Sequence, residues 1–341
     1  MSRTTPSRLL GTLVLAAALA AGCAAETGAA PTAPGADVES TAAALALDPP
    51  TRGFQVRTRG VLVEPGEDVR WCEVVELPGG PADVYPVARI ESAVSDFARD
   101  LVVSVAPASG DTAAIMDVGA RVPCSRAGEA FGEDLVELVA SRHAYQDQRY
   151  PTGVGQLLHG GQRLAVDYHY FNEGAEPVVA LAKLNFHTTD AGAIEHLAQT
   201  ASFQNVTIYT PPHGWSSHLA ECAVSQPMWV GELARRTERH GTNFRVWLTG
   251  GERDGTPLWT SLDPLDTEHE PAAPILLQPG EGFRFECDYR NDTDQELRFG
   301  VNASDETCGL NATWWAADDT QPTQPEGCLL LEVDPDGVAR R

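Results

Sequence analysis

Three stretches of this chain share one plan, and no other feature constrains the fold as much. Val61-Leu62-Val63 runs through Glu64-Pro65-Gly66-Glu67 into Asp68-Val69-Arg70-Trp71-Cys72. Ile275-Leu276-Leu277 runs through Gln278-Pro279-Gly280-Glu281 into Gly282-Phe283-Arg284-Phe285-Glu286-Cys287. Each is an apolar strand, a Pro-Gly turn and a second strand ending on a half-cystine. A third copy, Leu157-Leu158-His159-Gly160-Gly161 followed by Leu164 to Asn172, sets Gly161 against Gly280, Tyr170 against Tyr289 and Asn172 against Asn291. Pro-Gly turns recur throughout β-proteins, but the shared run of Arg, aromatic and Cys points to two related β-sandwich domains in tandem. The 31 glycines and 24 prolines among 341 residues agree with many short strands and exclude a helical bundle. Thr210-Pro211-Pro212 marks the boundary, giving expected domains at 53–208 and 209–335.

The 24 Lys plus Arg against 48 Asp plus Glu, a formal net charge of −24, exclude a nucleic-acid binder and a polybasic membrane-surface protein. Arg3 and Arg8 precede an apolar run from Leu9 to Ala21, too short to span a bilayer, which needs about 20 residues. The run ends in Ala20-Ala21-Gly22-Cys23, which resembles the lipobox of bacterial lipoproteins, although Leu is commoner at the position of Ala20. Residues 1–22 are therefore expected to be a lipoprotein signal peptide and Cys23 the lipidated residue. The Ala/Pro-rich segment 23–52 is expected to be a flexible tether, with folded sequence beginning near Phe54. The expected location is the bacterial cell envelope. Ala24 and Ala25 lack the Asp that retains lipoproteins in an inner membrane, which favours the outer one.

Without Cys23, six cysteines remain: Cys72, Cys124, Cys222, Cys287, Cys308 and Cys328. In an exported chain they are expected to form three disulfides, for which fifteen pairings exist. Pairing within domains would join Cys72 to Cys124. No C-x-x-C pair supports a zinc or redox site.

Seven motifs in order resemble one family. They are Trp71-Cys72 with Val75-Glu76-Leu77-Pro78, Tyr150-Pro151-Thr152-Gly153-Val154-Gly155, His169-Tyr170, Pro211-Pro212, Leu277-Gln278-Pro279-Gly280, Cys287-Asp288-Tyr289-Arg290-Asn291 and Ser304-Asp305-Glu306-Thr307-Cys308. The chain resembles the copper type II, ascorbate-dependent monooxygenases, the group of peptidylglycine α-hydroxylating monooxygenase and dopamine β-monooxygenase, from about Arg70 to Cys328. The resemblance implies an all-β fold of two jelly-roll-like antiparallel sandwiches with a cleft between them. It also implies the pairings Cys72–Cys124, Cys222–Cys328 and Cys287–Cys308.

In that family one copper takes an adjacent His-His pair and the His of a His-Tyr strand; the other takes a His-x-His pair and a Met. Imidazole suits both copper oxidation states, and a thioether favours Cu(I). Here only His169 falls on a ligand position. The His-His pair is replaced by Asp100 and Leu101, the His-x-His pair by Arg236 and Glu238, and the Met by Thr307. His240 would need a two-residue slip. Arg236 and Glu238, on one face of a strand, are expected to neutralise each other. His169 is expected to be a satisfied histidine on a half-buried strand.

The expectation is a non-catalytic, lipid-anchored relative that needs no cofactor, its cleft taking a small molecule or peptide. No residue is assigned a catalytic role. The alternative is an active copper-dependent monooxygenase with relocated ligands that hydroxylates a C–H bond using ascorbate. A sandwich-type carbohydrate binder is a third possibility, which exposed aromatics would favour. His213, His218 and Glu221 are expected on an exposed turn and His187 in a turn, while Trp314-Trp315 reads as core. No G-x-S-x-G, P-loop or H-E-x-x-H motif occurs.

Overall fold

The computed structural model describes residues 38–107, 116–124, 126–132, 134–263, 266–300, 304–318, 328–333 and 339–340. The expected signal peptide, Cys23 and the tether up to residue 37 lie outside the described residues. Alternation of apolar and polar side chains sets the strands, as Arg163–Phe171 illustrates. Leu164, Val166, Tyr168 and Tyr170 enter the main core of the first sandwich, while Ala165 joins a smaller cluster on the other face with Cys72, Met116 and Phe131. This strand is covered on both faces, and only its end residues escape full burial.

The first sandwich pairs two sheets. One places Gly53–Arg57, Ala182–Thr188, Val84–Val94, Val154–His159 and His196–Leu197 in that order, with Tyr145–Arg149 also paired to Val84–Val94. The other, five-stranded, runs Arg121–Pro123, Asp68–Glu76, Arg163–Phe171, Ala98–Val105, Val136–Ser141. In the second sandwich a five-stranded sheet runs Gln199–Asn205, Cys308–Ala316, Met228–Thr237, Glu268–His269, with Ile275–Leu277 also on Met228–Thr237. Its partner runs Pro257–Ser261, Gly241–Thr249, Gly282–Arg290, Trp215–Ala223, Cys328–Val333, Ala339–Arg340. Pairing between named strands is antiparallel except for His196–Leu197 against Val154–His159. Val87, Ile90, Leu101 and Val103 fill the first core, and Phe244, Phe283, Phe285 and Trp314 the second. The fold is thus all-β, built from antiparallel sandwiches. Gln199–Asn205 already belongs to the second sandwich, ahead of Thr210-Pro211-Pro212.

The repeat appears in detail. Gly66, Gly161 and Gly280 all take left-handed φ, at 77°, 76° and 86°, where a glycine turn is cheapest. Asn172 and Asn291 are fully buried and cap equivalent turns. Asn172 Nδ2 donates to the carbonyls of Val63 and Glu176, and Asn291 Nδ2 to those of Pro211 and Gln295. Each Oδ1 accepts a backbone N–H two residues on. Tyr170 and Tyr289 are also fully buried, their hydroxyls donating to the carbonyls of Leu181 and Thr307. Three kinds of position matched by sequence thus make matching contacts.

Disulfides join Cys72 to Cys124 and Cys287 to Cys308, with Cα–Cα separations of 5.7 and 5.9 Å. Cys222 is disulfide-bonded, and the residue opposite it in the ladder is Cys328.

The expected tether is too long by its last segment. Val38–Ala44 is a helix, and the chain after it packs on the first sandwich. Ala42 is buried against Val179 and Leu181, and Leu47 is also buried. The carbonyls of Leu45, Leu47 and Asp48 accept bonds from Lys183, Gln55 and Asn185. The overall Ala/Pro composition of 23–52 hid the few apolar side chains that seat this segment.

Candidate functional site

Two β-bulges aim the site. In Met228–Thr237 the register slips between Val230 and Glu232. Met228 and Val230 enter the core before the bulge, and Leu233 enters after it, so the inward phase changes from even to odd positions. Arg236 is thereby turned outward, toward the first sandwich. Gly231 sits at the bulge because a Cβ there would meet the Trp315 ring at 2.8 Å. A second slip, between His169 and Tyr170, leaves Asp100 opposite His169 and Ala98 opposite Tyr170.

The two five-stranded sheets meet through this charged face. Arg70 Nε donates to Asp167 at 2.9 Å and its Nη2 to Asp100 at 2.9 Å. Arg236 lies 3.7 Å from Asp100, across the interface. Arg142 donates to Glu238 and to the carbonyl of Thr237, and its Nη2 is 3.4 Å from the Thr307 hydroxyl. The expectation that Arg236 and Glu238 neutralise each other is therefore corrected. Both face outward as the i, i+2 spacing required, but each is paired with a residue of the other sandwich. Leu101 points the opposite way, into the first core.

Burial and charge push these carboxyls apart. Burial opposes ionisation of Asp100, yet Arg236, Arg142 and Arg70 hold it down to about 2. Burial lifts Asp167 to about 6 against the pull of Arg70. Burial likewise lifts Glu306 to about 8, although its carboxylate accepts the backbone N–H groups of His240 and Glu238.

A cleft of about 240 Å³ opens beside this network, lined by Arg99, Arg142, His143, His169, Phe171 and Glu238 among others. Arg99 lies over the Phe171 ring, 5.6 Å from its centroid, and bonds Glu173. His169 is 7% exposed, and its Nε2 lies 2.6 Å from Asp68 Oδ1. His143 Nε2 is bonded to the Thr267 hydroxyl.

These side chains do not fit copper. Guanidinium groups at and beside the substituted ligand positions repel a cation, and the Nε2 atoms of both cleft histidines are hydrogen-bonded. Among the described residues, the one group of three or more His, Cys, Asp or Glu donors within 4.8 Å is Cys72, Cys124 and Asp167, two of which form a disulfide. The remaining candidates do not converge. His213 is exposed and bonded to Asp294, whereas His218 is buried on a strand and lies 3.1 Å from the Ser216 hydroxyl. Glu221 bonds Arg284 on the neighbouring strand. His187 also lies on a strand, bonded to Glu91. The turns expected for His218, Glu221 and His187 are thus strand positions. Trp314 and Trp315 are buried.

Sequence reasoning missed the roles of Arg70, read only as part of the repeat, and of Arg142 and His143, which carry no motif. Arg142 is placed in the cleft by the end of Val136–Ser141, and no local pattern announces that its partner lies 96 positions away.

The site thus defined is a polar, ion-paired cleft between two antiparallel sandwiches. No family model matches the chain, and no curated protein matches it. Among solved structures it is similar to PNGase F, a glycosylasparaginase from Flavobacterium meningosepticum. Identity is 10%, coverage 82% of this chain and 99% of that one, and the TM-score 0.33.

Proposed function

We propose that this chain is a non-catalytic binding protein of the cell envelope, held by lipid at Cys23, whose inter-sandwich cleft receives a small molecule or peptide. The observation that carries this reading is the pairing of Asp100 with Arg236 and of Arg142 with Glu238. Three of these residues stand where the family resemblance calls for copper ligands, and there the two arginines hold the carboxylates of Asp100 and Glu238 in ion pairs rather than leaving them to a metal. The cleft itself offers an aromatic floor at Phe171 with polar groups around it, the make-up of a ligand site.

The alternative, a copper monooxygenase with relocated ligands, draws on one observation: His143 and His169 line the same cleft. Metal content separates the two. Protein loaded with Cu(II), reduced with ascorbate and desalted is expected to retain well below one equivalent and to consume no oxygen with ascorbate. Two tightly held coppers would overturn the non-catalytic reading. Palmitate labelling of the wild type and its loss in Cys23→Ser test the anchor.

A further inference from the structure

We propose that a hard divalent cation, calcium being the best match, binds between the sandwiches in a small cavity walled by Glu137, Gln146, Glu232 and Asn311. The cavity measures about 20 Å³, room for one water-sized particle, and lies apart from the cleft described above. The proposal does not rest on the function assigned to that cleft.

Gln146 and Asn311 are 7% and 4% exposed. Gln146 Nε2 donates to Glu268 at 2.8 Å, and Asn311 Nδ2 reaches Glu137 at 3.4 Å. Their amide oxygens, Gln146 Oε1 and Asn311 Oδ1, are buried without a hydrogen-bond partner. Turning either amide over would set its oxygen against a carboxylate, so the carboxylates fix the orientation. Leaving two buried acceptors unsatisfied is costly, and most such groups in folded proteins have partners.

The surrounding charge selects the ligand. Glu137 and Glu232 line the cavity, and Glu268 and Glu270 act on Glu232 from the neighbouring strand and the residue after it. Among the described residues Arg236, which acts on Glu137, is the one arginine set against these four carboxyls. Carboxylate and amide oxygens together, with no soft donor, are ligands for a hard ion. Calcium accepts six to eight oxygens at about 2.3–2.6 Å in flexible geometry, and water can complete the shell. Glu268 and Glu270 are exposed, which gives the ion a route in. Glu137 and Gln146 belong to the first sandwich, Glu232 and Asn311 to the second, so the ion would clamp one to the other.

The test titrates CaCl2 into EGTA-stripped full-length protein at pH 7.5, read by calorimetry and by thermal melting. One equivalent is expected, saturating at about 10⁻⁴–10⁻³ M, with a melting temperature that climbs as the free ion exceeds its Kd. E232Q is expected to weaken binding at least about tenfold while melting no lower than wild type in EGTA, since it removes a buried charge. A second readout needs no variant. Tb³⁺ luminescence excited through tryptophan should appear, because Trp315 packs on Gly231 beside Glu232, and calcium should quench it. Absence of saturable binding up to about 10 mM CaCl2, well above that range, overturns the proposal. So does a melting temperature that calcium leaves unmoved but acidification to pH 5 raises, which would show a proton in the cavity.

Discussion

Arg142 and Glu238 stand on different sandwiches and bond each other at the edge of the cleft, Nη2 to Oε1. Removing Arg142 leaves the Glu238 carboxylate part-buried and without that partner. Arg142→Ala should destabilise by about 3–5 kcal/mol in urea unfolding, whereas Arg142→Met combined with Glu238→Leu should recover most of that loss. A double variant as weak as the single one would show that Arg142 matters for its bond to the Thr237 carbonyl instead.

Asn172 and Asn291 make the same contacts in separate sandwiches. Each Asn→Ala change strands one buried carbonyl, that of Val63 or that of Thr210, and should cost about 1–3 kcal/mol, with the two costs adding because the sites share no partner. Chemical denaturation of the two single variants and the double variant reads this. A negligible effect at one site would break the equivalence of the repeats.

Stability should fall as pH rises from about 4.5 to about 8. Burial lifts Glu137 and Glu232 to about 7, Asp167 to about 6 and Glu306 to about 8, above their ordinary values. Across that window the folded state holds protons that the unfolded chain releases, so deprotonation favours unfolding. Asp100, held near 2, acts in the opposite sense: its contribution is present above 3.8 and lost as pH falls toward 2. Urea midpoints in EGTA should therefore be higher at pH 5 than at pH 8. The reverse order would remove these carboxyls from the account.

Two glycines separate backbone strain from steric exclusion. At Gly66, whose φ is 77°, an added Cβ would find nothing within 4 Å, so Gly66→Ala should cost only the left-handed penalty of about 1–2 kcal/mol. At Gly282 a Cβ would meet the Cys222 carbonyl oxygen at 1.9 Å, so Gly282→Ala should fail to give soluble protein or should melt far lower. Equal, mild effects would contradict that close approach.

The sandwich class, the turns at Gly66 and Gly280, and the Cys72–Cys124 pair were legible because each rests on a local signal: alternation, Pro-Gly, or a cysteine with few partners. The same-face placement of Arg236 and Glu238 was legible too. Their partners were not, because Asp100 and Arg142 lie far off in sequence and no motif links them. The seating of Ala42 and Leu47 escaped notice because single apolar side chains in an Ala/Pro-rich stretch carry no period. Helix formation at Val38–Ala44 draws on contacts with Val179 and Leu181 that only the folded sheet supplies.

The bulge at Gly231 works as a one-residue phase switch. Pairing the same residues in a regular ladder, with Gly231 taking a rung of its own, would restore strict alternation, swing Arg236 and Glu238 into an oily interior, and expose Leu233. An error of one position in this strand would therefore unmake the docking face and the second core together.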